Sequence, residues 1–240
     1  MMIDTHSHLN FKAFDLDREK VIEESLRKDI WIINVGSDYP TSQKAVELQR
    51  QGVFASVGLH PIHVEDEVFD YDKYKELAKK AKAIGEIGLD YWHKPKETLE
   101  QKDLLSQQIK LAQELNLPII FHCRKAHDEM IEMLDNEKGV IHCFTGKYSQ
   151  AKKYLEKGLY LGFNGIIFKH DVSETIKKMP LDRMLIETDC PYLTPPNVKK
   201  ERNEPINIKY VALEIARQRG ISLEEVIEAT TTSAKKLFAL

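Results

Sequence analysis

The 240-residue chain has few cysteines, no long apolar run and almost no imbalance of charge. Its three cysteines are an odd number, which excludes a fully paired disulfide framework and favours a reducing compartment. No apolar stretch approaches the roughly 20 residues of a membrane-spanning helix. With 35 basic and 38 acidic side chains the net charge is −3, which is not typical of a protein that coats nucleic acid. An enzyme that meets nucleic acid through a locally basic site stays open.

The first residues carry Asp4, His6 and His8 where a secretory signal peptide needs its apolar region. We therefore expect a cytoplasmic protein that does not associate with a membrane. The oligomeric state is open, and a monomer is compatible with the sequence.

Short apolar runs alternate with charged segments of helical period along the whole chain. The runs that we predict as strands are Met2–Thr5, Ile30–Val35, Val53–Val57, Ala83–Ile87, Pro118–Phe121, Val140–His142, Leu159–Phe163 and Arg183–Thr188. Most of them precede a helical segment, which is typical of a parallel sheet. Eight such units fit a closed (β/α)8 TIM barrel better than an open doubly wound sheet. Since no linker or shift in composition interrupts the pattern, we expect a single domain over residues 1–240.

Six polar residues fall at the carboxyl ends of predicted strands, where barrel enzymes build their active sites. They are His6, His8, Glu86, His122, His142 and Asp189. Because a strand has a period of two, His6 and His8 point to the same face, and Asp4 shares their parity one layer deeper. Imidazole and carboxylate ligands suit first-row divalent ions such as zinc and manganese. The sequence therefore predicts a dinuclear metal site.

Two metal ions about 3.5–4 Å apart need a bridging group, which a carboxylate can supply with its two oxygens. Glu86 is the predicted bridge, because its strand lies between those that carry the two histidine sets. His6, His8 and Asp189 are expected to complete one metal site. His122 and His142 are expected to complete the other. The ligand set admits zinc, manganese or magnesium.

A lone histidine near a strand end more often serves packing or the surface than a site. That interpretation applies to His63, His93, His127 and His170. Applied to the six residues together, it would bury several unpartnered polar groups at one end of the barrel, at a cost of a few kcal/mol each.

Thiolates are a competing ligand set, because each of the three cysteines directly follows a proposed ligand. Strand parity turns Cys123 and Cys143 outward, toward the helices, where a small apolar side chain packs well. Parity says little about Cys190, which leads into a loop.

Three stretches of the chain resemble the TatD family of metal-dependent hydrolases, namely MIDTHSHLN, PIIFHCRKAHD and MPLDRMLIETDCP. GEIGLDYW, HCFTG, RNEP and the closing TTTSAKKLF extend the resemblance over essentially the whole chain. The resemblance implies a (β/α)8 barrel that holds two divalent metal ions and hydrolyses phosphodiester bonds, typically as a deoxyribonuclease. The metal ligands of the family carry over onto the same six residues.

The predicted chemistry is attack on phosphorus by a water molecule that the metal ions activate. Asp189 would orient that water and accept its proton, with Glu86 as the second catalytic carboxylate. Glu187 shares the parity of Asp189 one layer down and is predicted to hydrogen-bond a metal ligand.

DNA, single-stranded or at its ends, is the expected substrate. We predict that Arg124 and Arg202 contact it, because a guanidinium fork matches phosphate oxygens. His60, at the end of the third predicted strand, is also predicted to contact it. Trp92 and Tyr192 could stack bases, although core packing explains an aromatic side chain equally well.

Fold and metal ions do not choose between phosphate and carbonyl chemistry. A D-aminoacyl-tRNA deacylase, or another ester or amide hydrolase on the same metals, is therefore the first alternative. A non-catalytic barrel stabilised by its metals is the second. A mononuclear deaminase-like barrel is the third, and Glu86 argues against it.

Overall fold

The structure, a computed structural model, describes residues 1–199 and 201–240. Over these residues eight strands form one sheet in sequence order, and every neighbouring pair is parallel. The strands are β1 Met2–Ser7, β2 Ile30–Val35, β3 Val53–Val57, β4 Ala83–Asp90, β5 Ile119–Arg124, β6 Gly139–Ile141, β7 Tyr160–Phe163 and β8 Met184–Ile186. The chain just after β8 returns to β1: the amide of Asp189 donates to His6 O at 2.8 Å, and the amide of His8 to Cys190 O at 2.9 Å.

Helices follow the strands and cover the outside of the sheet. Within the described residues they are α1 Arg18–Arg27, α2 Tyr39–Glu47, α3 Tyr71–Ala78, α4 Thr98–Leu115, α5 His127–Met133, α6 Tyr148–Glu156, α7 Ser173–Lys178, α8 Ile208–Arg219 and α9 Leu223–Phe238. The predicted (β/α)8 barrel is confirmed. None of the helices in the described ranges is long and apolar enough to cross a membrane.

The amino-terminal half of the barrel interior is filled with apolar side chains. Residues from seven strands, among them Ile3 and Ala83, meet in one buried cluster with Leu237 and Phe238 of α9. Side chains from so many strands can meet only inside the barrel, so α9 closes its amino-terminal end. The carboxyl-terminal half is left for polar groups.

Two strands change register just before the residues that they deliver to this polar half. Ile3 points into the interior cluster, so strict alternation would turn His6 outward, but the pairing of β1 with β2 shifts between Asp4 and Ser7. The pairing of β4 with β5 likewise shifts between Ile84 and Ile87, and Glu86 turns inward. One extra residue in a strand re-aims the side chains that follow it.

The shifts explain two differences from the sequence-based prediction. Strand β4 does not end at Ile87 but continues to Asp90, so Glu86 lies within it. Asp4 does not extend the row of His6 toward the interior. Its carboxylate accepts the amide of Thr188 at 2.8 Å and the Thr188 hydroxyl at 2.6 Å, and burial raises its pKa to about 8.

Candidate metal centre

Glu86 lies in the middle of a group of imidazole rings at the carboxyl end of the barrel. Its Oε1 lies 2.7 Å from Nδ1 of His122 and 2.7 Å from Nε2 of His142. Its Oε2 lies 3.4 Å from Nε2 of His6 and 3.8 Å from Nε2 of His8. The two oxygens of one carboxylate therefore face two different sets of imidazoles, which is the geometry that a bridging ligand requires.

Asp189 completes the group beside β1. Its Oδ1 lies 3.4 Å from Nε2 of His8 and 3.7 Å from Nε2 of His6. These two nitrogens lie 3.1 Å apart, and the ring of His6 stacks on that of His142 with centroids 3.8 Å apart. The structure thus brings all six predicted ligands into one cluster.

Three subsets of the cluster could each hold a metal ion, since their ligand atoms lie within 4.8 Å of one another. They are His6 with His8 and Glu86, His6 with His142 and Asp189, and His60 with Glu86 and His122. Glu86 belongs to two of the three. His60, predicted as a substrate contact, lies with its Nε2 3.4 Å from Oε1 of Glu86. This grouping differs from the predicted one, in which His122 and His142 share an ion.

The protonation of two rings is fixed from outside the cluster. Nδ1 of His8 lies 2.8 Å from the carbonyl oxygen of Val35, which can only accept a hydrogen bond. Nδ1 of His142 lies 3.2 Å from Oε1 of Glu187. A neutral imidazole that donates its one proton outward presents an unprotonated nitrogen inward. Nε2 of each ring therefore points into the cluster, and on His142 it carries a proton, 2.7 Å from Oε1 of Glu86, that a divalent ion would replace.

Asp90 hydrogen-bonds the ring of His122 from outside the cluster in the same way. The sequence analysis did not predict this role for Asp90. Its Oδ2 lies 3.0 Å from Nε2 of His122 and 2.8 Å from Nδ1 of His93. Its Oδ1 accepts the backbone amides of Trp92 and His93 at 3.0 and 2.8 Å. The available signal was a carboxylate four residues after Glu86, at the true end of β4.

Carboxylates and imidazole nitrogens that converge in this way form a donor set that a divalent cation can bind in place of protons. Among the described residues, no lysine or arginine pairs with Glu86 or Asp189; their ionic partners are histidines. Burying such groups without a compensating charge is costly. Nitrogen and carboxylate donors together fit a first-row divalent ion. The cluster therefore has the chemistry of a metal centre.

The electrostatics of the cluster keep its central carboxylate ionised. Burial alone would raise the pKa of Glu86, but His142, His60 and His6 hold it well below its ordinary value. Burial alone would lower the pKa of His142, but Glu86 and then Glu187 raise it well above its ordinary value. An ionised carboxylate is the form that binds a metal ion.

Glu187 lies where strand parity predicted, behind a metal ligand. Besides facing His142, its Oε1 accepts the amide of Cys143 at 2.7 Å and Nδ2 of Asn164 at 3.0 Å. Its Oε2 is buried and lies only 2.5 Å from where a Cβ would stand at Gly162. Glycine at that position in β7 leaves room for the carboxylate.

The two arginines predicted to bind phosphate have different surroundings. Arg124 is exposed, follows His122 by two residues and lies with its guanidinium carbon 5.6 Å from the Trp92 ring centroid. Arg202 donates to both carboxylate oxygens of Asp17, at 2.8 and 2.6 Å, and to Oε1 of Glu204 at 3.0 Å. The contacts of Arg202 favour a structural role, whereas Arg124 is placed to meet a ligand.

None of the three cysteines, all of which the structure describes, belongs to a candidate metal group. Cys123 is buried on the helix side of β5, 3.7 Å from the hydroxyl of Tyr154. Cys190 is buried in the apolar cluster beneath α1. The thiolate alternative therefore has no support in the geometry.

Comparison with known proteins agrees with a metal centre in this barrel. The model of the TatD related DNase family matches residues 3–239. The chain is 41% identical over 255 residues to the uncharacterized metal-dependent hydrolase YabD of Bacillus subtilis, with both chains covered completely. It is 31% identical over 261 residues to the 3'-5' ssDNA/RNA exonuclease TatD of Erwinia amylovora, again over both complete chains. Among solved structures, the TatD homolog YJJV of Escherichia coli K12 superposes with a TM-score of 0.90 at 28% identity, covering 100% of this chain and 98% of that one.

Proposed function

Because the chain belongs to the TatD family of metal-dependent hydrolases, we propose that it hydrolyses the phosphodiester bonds of DNA, in single strands or at strand ends. One observation carries the proposal. Glu86 faces His122 and His142 with one oxygen and His6 with the other, so it is placed to be shared by two cations. Two divalent ions side by side are the usual means of holding the attacking and leaving oxygens of a phosphodiester.

The proposed centre would hold two divalent ions, with Glu86 as a ligand available to both. The residues that would bind them are His6, His8, His60, Glu86, His122, His142 and Asp189. When bound, the ions would supply Lewis acidity, which activates water near neutral pH and stabilises negative charge on a phosphate. Zinc and manganese suit a donor set this rich in imidazole, and magnesium suits its carboxylates.

The chain itself would orient the reaction. Asp189 is 15% exposed in its side chain, so solvent reaches it, and its Oδ1 faces His6 and His8. Its Oδ2 is then available to hold the attacking water and take up its proton. Arg124, outside His122, would bind a phosphate of the substrate strand.

Two observations support a nucleic-acid substrate. The Erwinia relative, which aligns over its whole length, is named as an exonuclease of single-stranded DNA and RNA. Among the described residues no carboxylate pairs with the Arg124 guanidinium, so a cation beside the centre is available for a phosphate. A small neutral ester has no negative group with which that charge could pair.

The test is hydrolysis of end-labelled single-stranded DNA, duplex DNA and RNA by protein that was stripped with a chelator and reloaded with zinc, manganese or magnesium. Glu86→Gln and Asp189→Asn should each lower the rate by about a hundredfold or more, because each removes a ligand or base that acts in the transition state. Glu228→Gln and Asp103→Asn, on exposed helix surfaces, are the matched controls and should cleave as the parent does. Metal content, measured by mass spectrometry, should be about two ions per chain.

D-aminoacyl-tRNA and a simple carboxylic ester belong in the same assay. Hydrolysis of these with no cleavage of any nucleic acid would replace the phosphodiesterase by the deacylase alternative. One tightly held ion per chain would favour a mononuclear centre. Equal DNA cleavage by Glu86→Gln, Asp189→Asn and the parent would end the proposal.

A further inference from the structure

Two aromatic side chains stand in solvent on loops that leave the metal-facing end of the barrel. Trp92 is 59% exposed and Tyr192 is 55% exposed, and they are the two aromatics among the exposed large apolar side chains of the described residues. Each lies two or three residues after a group of the centre, Asp90 for Trp92 and Asp189 for Tyr192. Core packing, the ordinary explanation of an aromatic residue, does not apply at this exposure.

The two loops lie on opposite sides of the centre, because β4 and β8 are four strands apart in an eight-stranded barrel, and a backbone hydrogen bond ties each loop to a carboxylate residue there. The amide of Trp92 donates to Oδ1 of Asp90, and Oδ2 of the same carboxylate faces His122. The amide of Tyr192 donates to the carbonyl oxygen of Asp189 at 2.9 Å. Burial, and then the negative charges of Asp189 and Glu86, raise the pKa of the Tyr192 hydroxyl.

The Trp92 ring also contacts a cationic side chain, that of Arg124, which has no carboxylate partner among the described residues. The guanidinium carbon of Arg124 lies 5.6 Å from the Trp92 ring centroid, close enough for a cation–π contact. An indole face beside a free guanidinium offers a stacking surface and a phosphate-binding group together. Single-stranded nucleic acid is the ligand that uses both, because its bases are unpaired and its phosphates are regularly spaced.

We propose that Trp92 with Arg124 on one flank of the centre, and Tyr192 on the other, form a base clamp that stacks unpaired bases on either side of the scissile phosphodiester. The clamp rests on the proposed phosphodiesterase function and assigns the side chains that would hold the unpaired bases of its substrate. A paired base is already stacked within its duplex and would have to leave it to reach either ring, so duplex substrates should be poor.

The first experiment separates bases from phosphates. Oligothymidylate is compared with an oligomer of the same length built from abasic deoxyribose, which has the phosphodiesters and no bases. Trp92→Ala and Tyr192→Ala should each lower kcat/KM for oligothymidylate about tenfold, as loss of one stacked base does. Tyr192→Ala should not change cleavage of the abasic oligomer, and Trp92→Ala, which also removes the ring beside Arg124, should lower it by much less than it lowers cleavage of oligothymidylate. Trp92→Phe should restore most of the loss, and Leu99→Ala, which removes a 75% exposed side chain from the start of α4, should have no effect.

The second experiment observes the clamp without cleavage. The chain has two tryptophans, and Trp31 packs against Phe54 in β2 and β3, so Trp31→Phe leaves Trp92 as the sole tryptophan, which is excited at wavelengths that tyrosine does not absorb. Metal-loaded protein is titrated with phosphorothioate-linked oligothymidylate, whose binding is followed in parallel by anisotropy. Stacking should quench Trp92 fluorescence, whereas the abasic oligomer should not.

The two experiments distinguish failure of the clamp from failure of the nuclease. Full cleavage of oligothymidylate by Trp92→Ala and Tyr192→Ala, while Asp189→Asn is inactive, would overturn the clamp and leave the nuclease standing. Binding without quenching would also overturn the clamp. Quenching by oligothymidylate in a protein that cleaves no nucleic acid would support the clamp and refute the phosphodiesterase.

Discussion

The carboxylate of Asp90 and the ring of His122 form a hydrogen-bonded pair, with Oδ2 of Asp90 3.0 Å from Nε2 of His122. On the other side of the same ring, Nδ1 lies 2.7 Å from Oε1 of Glu86. Asp90 is itself fixed, because it is buried and also accepts the amides of Trp92 and His93. Asp90 therefore holds a proton on Nε2 of His122, so that Nδ1 is the nitrogen that would give up its proton to bind an ion.

Asp90→Asn should lower metal affinity without unfolding the protein. An asparagine amide can offer its NH2 group to Nε2 of His122, and the ring then keeps its proton on the nitrogen that should bind the ion. We expect the affinity to fall by about 10- to 100-fold, as is usual when the partner of a ligating histidine is lost. Competition with a chromogenic chelator measures it, and Asp103→Asn on the surface of α4 is the control. An Asp90→Asn protein that binds zinc as tightly as the parent would show that the pair has no such role.

Part of the centre could be predicted because two ligands follow simple alternation. His122 and His142 share parity with residues that fill the barrel interior, namely Ile120 and Val140. Asp189 lies beyond the end of β8, and its position after that strand is what the sequence could predict. The positions of His6 and Glu86 agree with the prediction for another reason. Both are turned inward by a shift of strand register, which a sequence read as alternating residues does not contain. The prediction for Asp4 failed at the same shift.

The surroundings of Arg202 could not be predicted from the sequence, for a different reason. Its main partner, Asp17, is 185 residues away in the chain, and nothing local marks the pair. Arg124 and Arg202 look alike as motif arginines that follow strand ends. Only the folded chain shows that one guanidinium is committed to carboxylates and the other is not.

Substitution of the two arginines should consequently affect different measurements, stability for Arg202 and substrate binding for Arg124. Arg202→Ala loses the pairs with Asp17 and Glu204 and the stacking on Phe14, with the guanidinium carbon 4.3 Å from the ring centroid. Because the Arg202 side chain is 28% exposed, we expect a loss of only about 1 kcal/mol in the free energy of unfolding. Arg124→Ala should leave that free energy unchanged and raise KM for single-stranded DNA about tenfold, through one lost charged contact.

Urea unfolding and steady-state cleavage of both variants provide the comparison. Arg124→Lys keeps the charge but not the fork, so it should recover part of the KM. A raised KM in Arg202→Ala with normal urea stability would return Arg202 to the phosphate-binding role predicted from the sequence.

Gly162→Ala should disturb the metal centre indirectly, through Glu187, which contacts the ligand His142. The new Cβ would lie 2.5 Å from Oε2 and 3.0 Å from Cδ of Glu187, so the carboxylate must shift, which disturbs its contact with His142. Overpacking of this kind costs about 1–3 kcal/mol, and the misplaced His142 should bind metal more weakly. Thermal unfolding with and without zinc measures both effects.

A double variant checks the cause. Glu187→Ala makes space for the added methyl group, so adding Gly162→Ala to it should cost little further stability, and the two effects should not be additive. Additive losses would mean that the methyl group is resisted by the backbone near His142 and not by Glu187.

His127 should make the protein less stable in acid, independently of the metal centre. It is buried, with Nδ1 3.1 Å from the hydroxyl of Tyr154, and Nε2 has no partner among the described residues. Burial lowers the pKa of His127 to about 4, although Asp128 opposes the shift. An unfolded histidine titrates near 6.5, so between pH 6.5 and 4 the unfolded chain binds a proton that the folded chain does not. Stability is therefore complete above pH 6.5 and falls as the pH approaches 4.

His127→Gln removes this titration and keeps a polar side chain of similar size. Urea unfolding at pH 7 and pH 4.5, with chelator present so that metal release contributes nothing, should show a smaller difference for the variant. The reduction should be about 2 kcal/mol, which follows from the separation of the folded and unfolded pKa values. Every other acid-sensitive group is common to both proteins and cancels in the comparison. If the parent and His127→Gln lose equal stability between the two pH values, His127 is protonated in the folded protein, and its burial beside Tyr154 is not what excludes the proton.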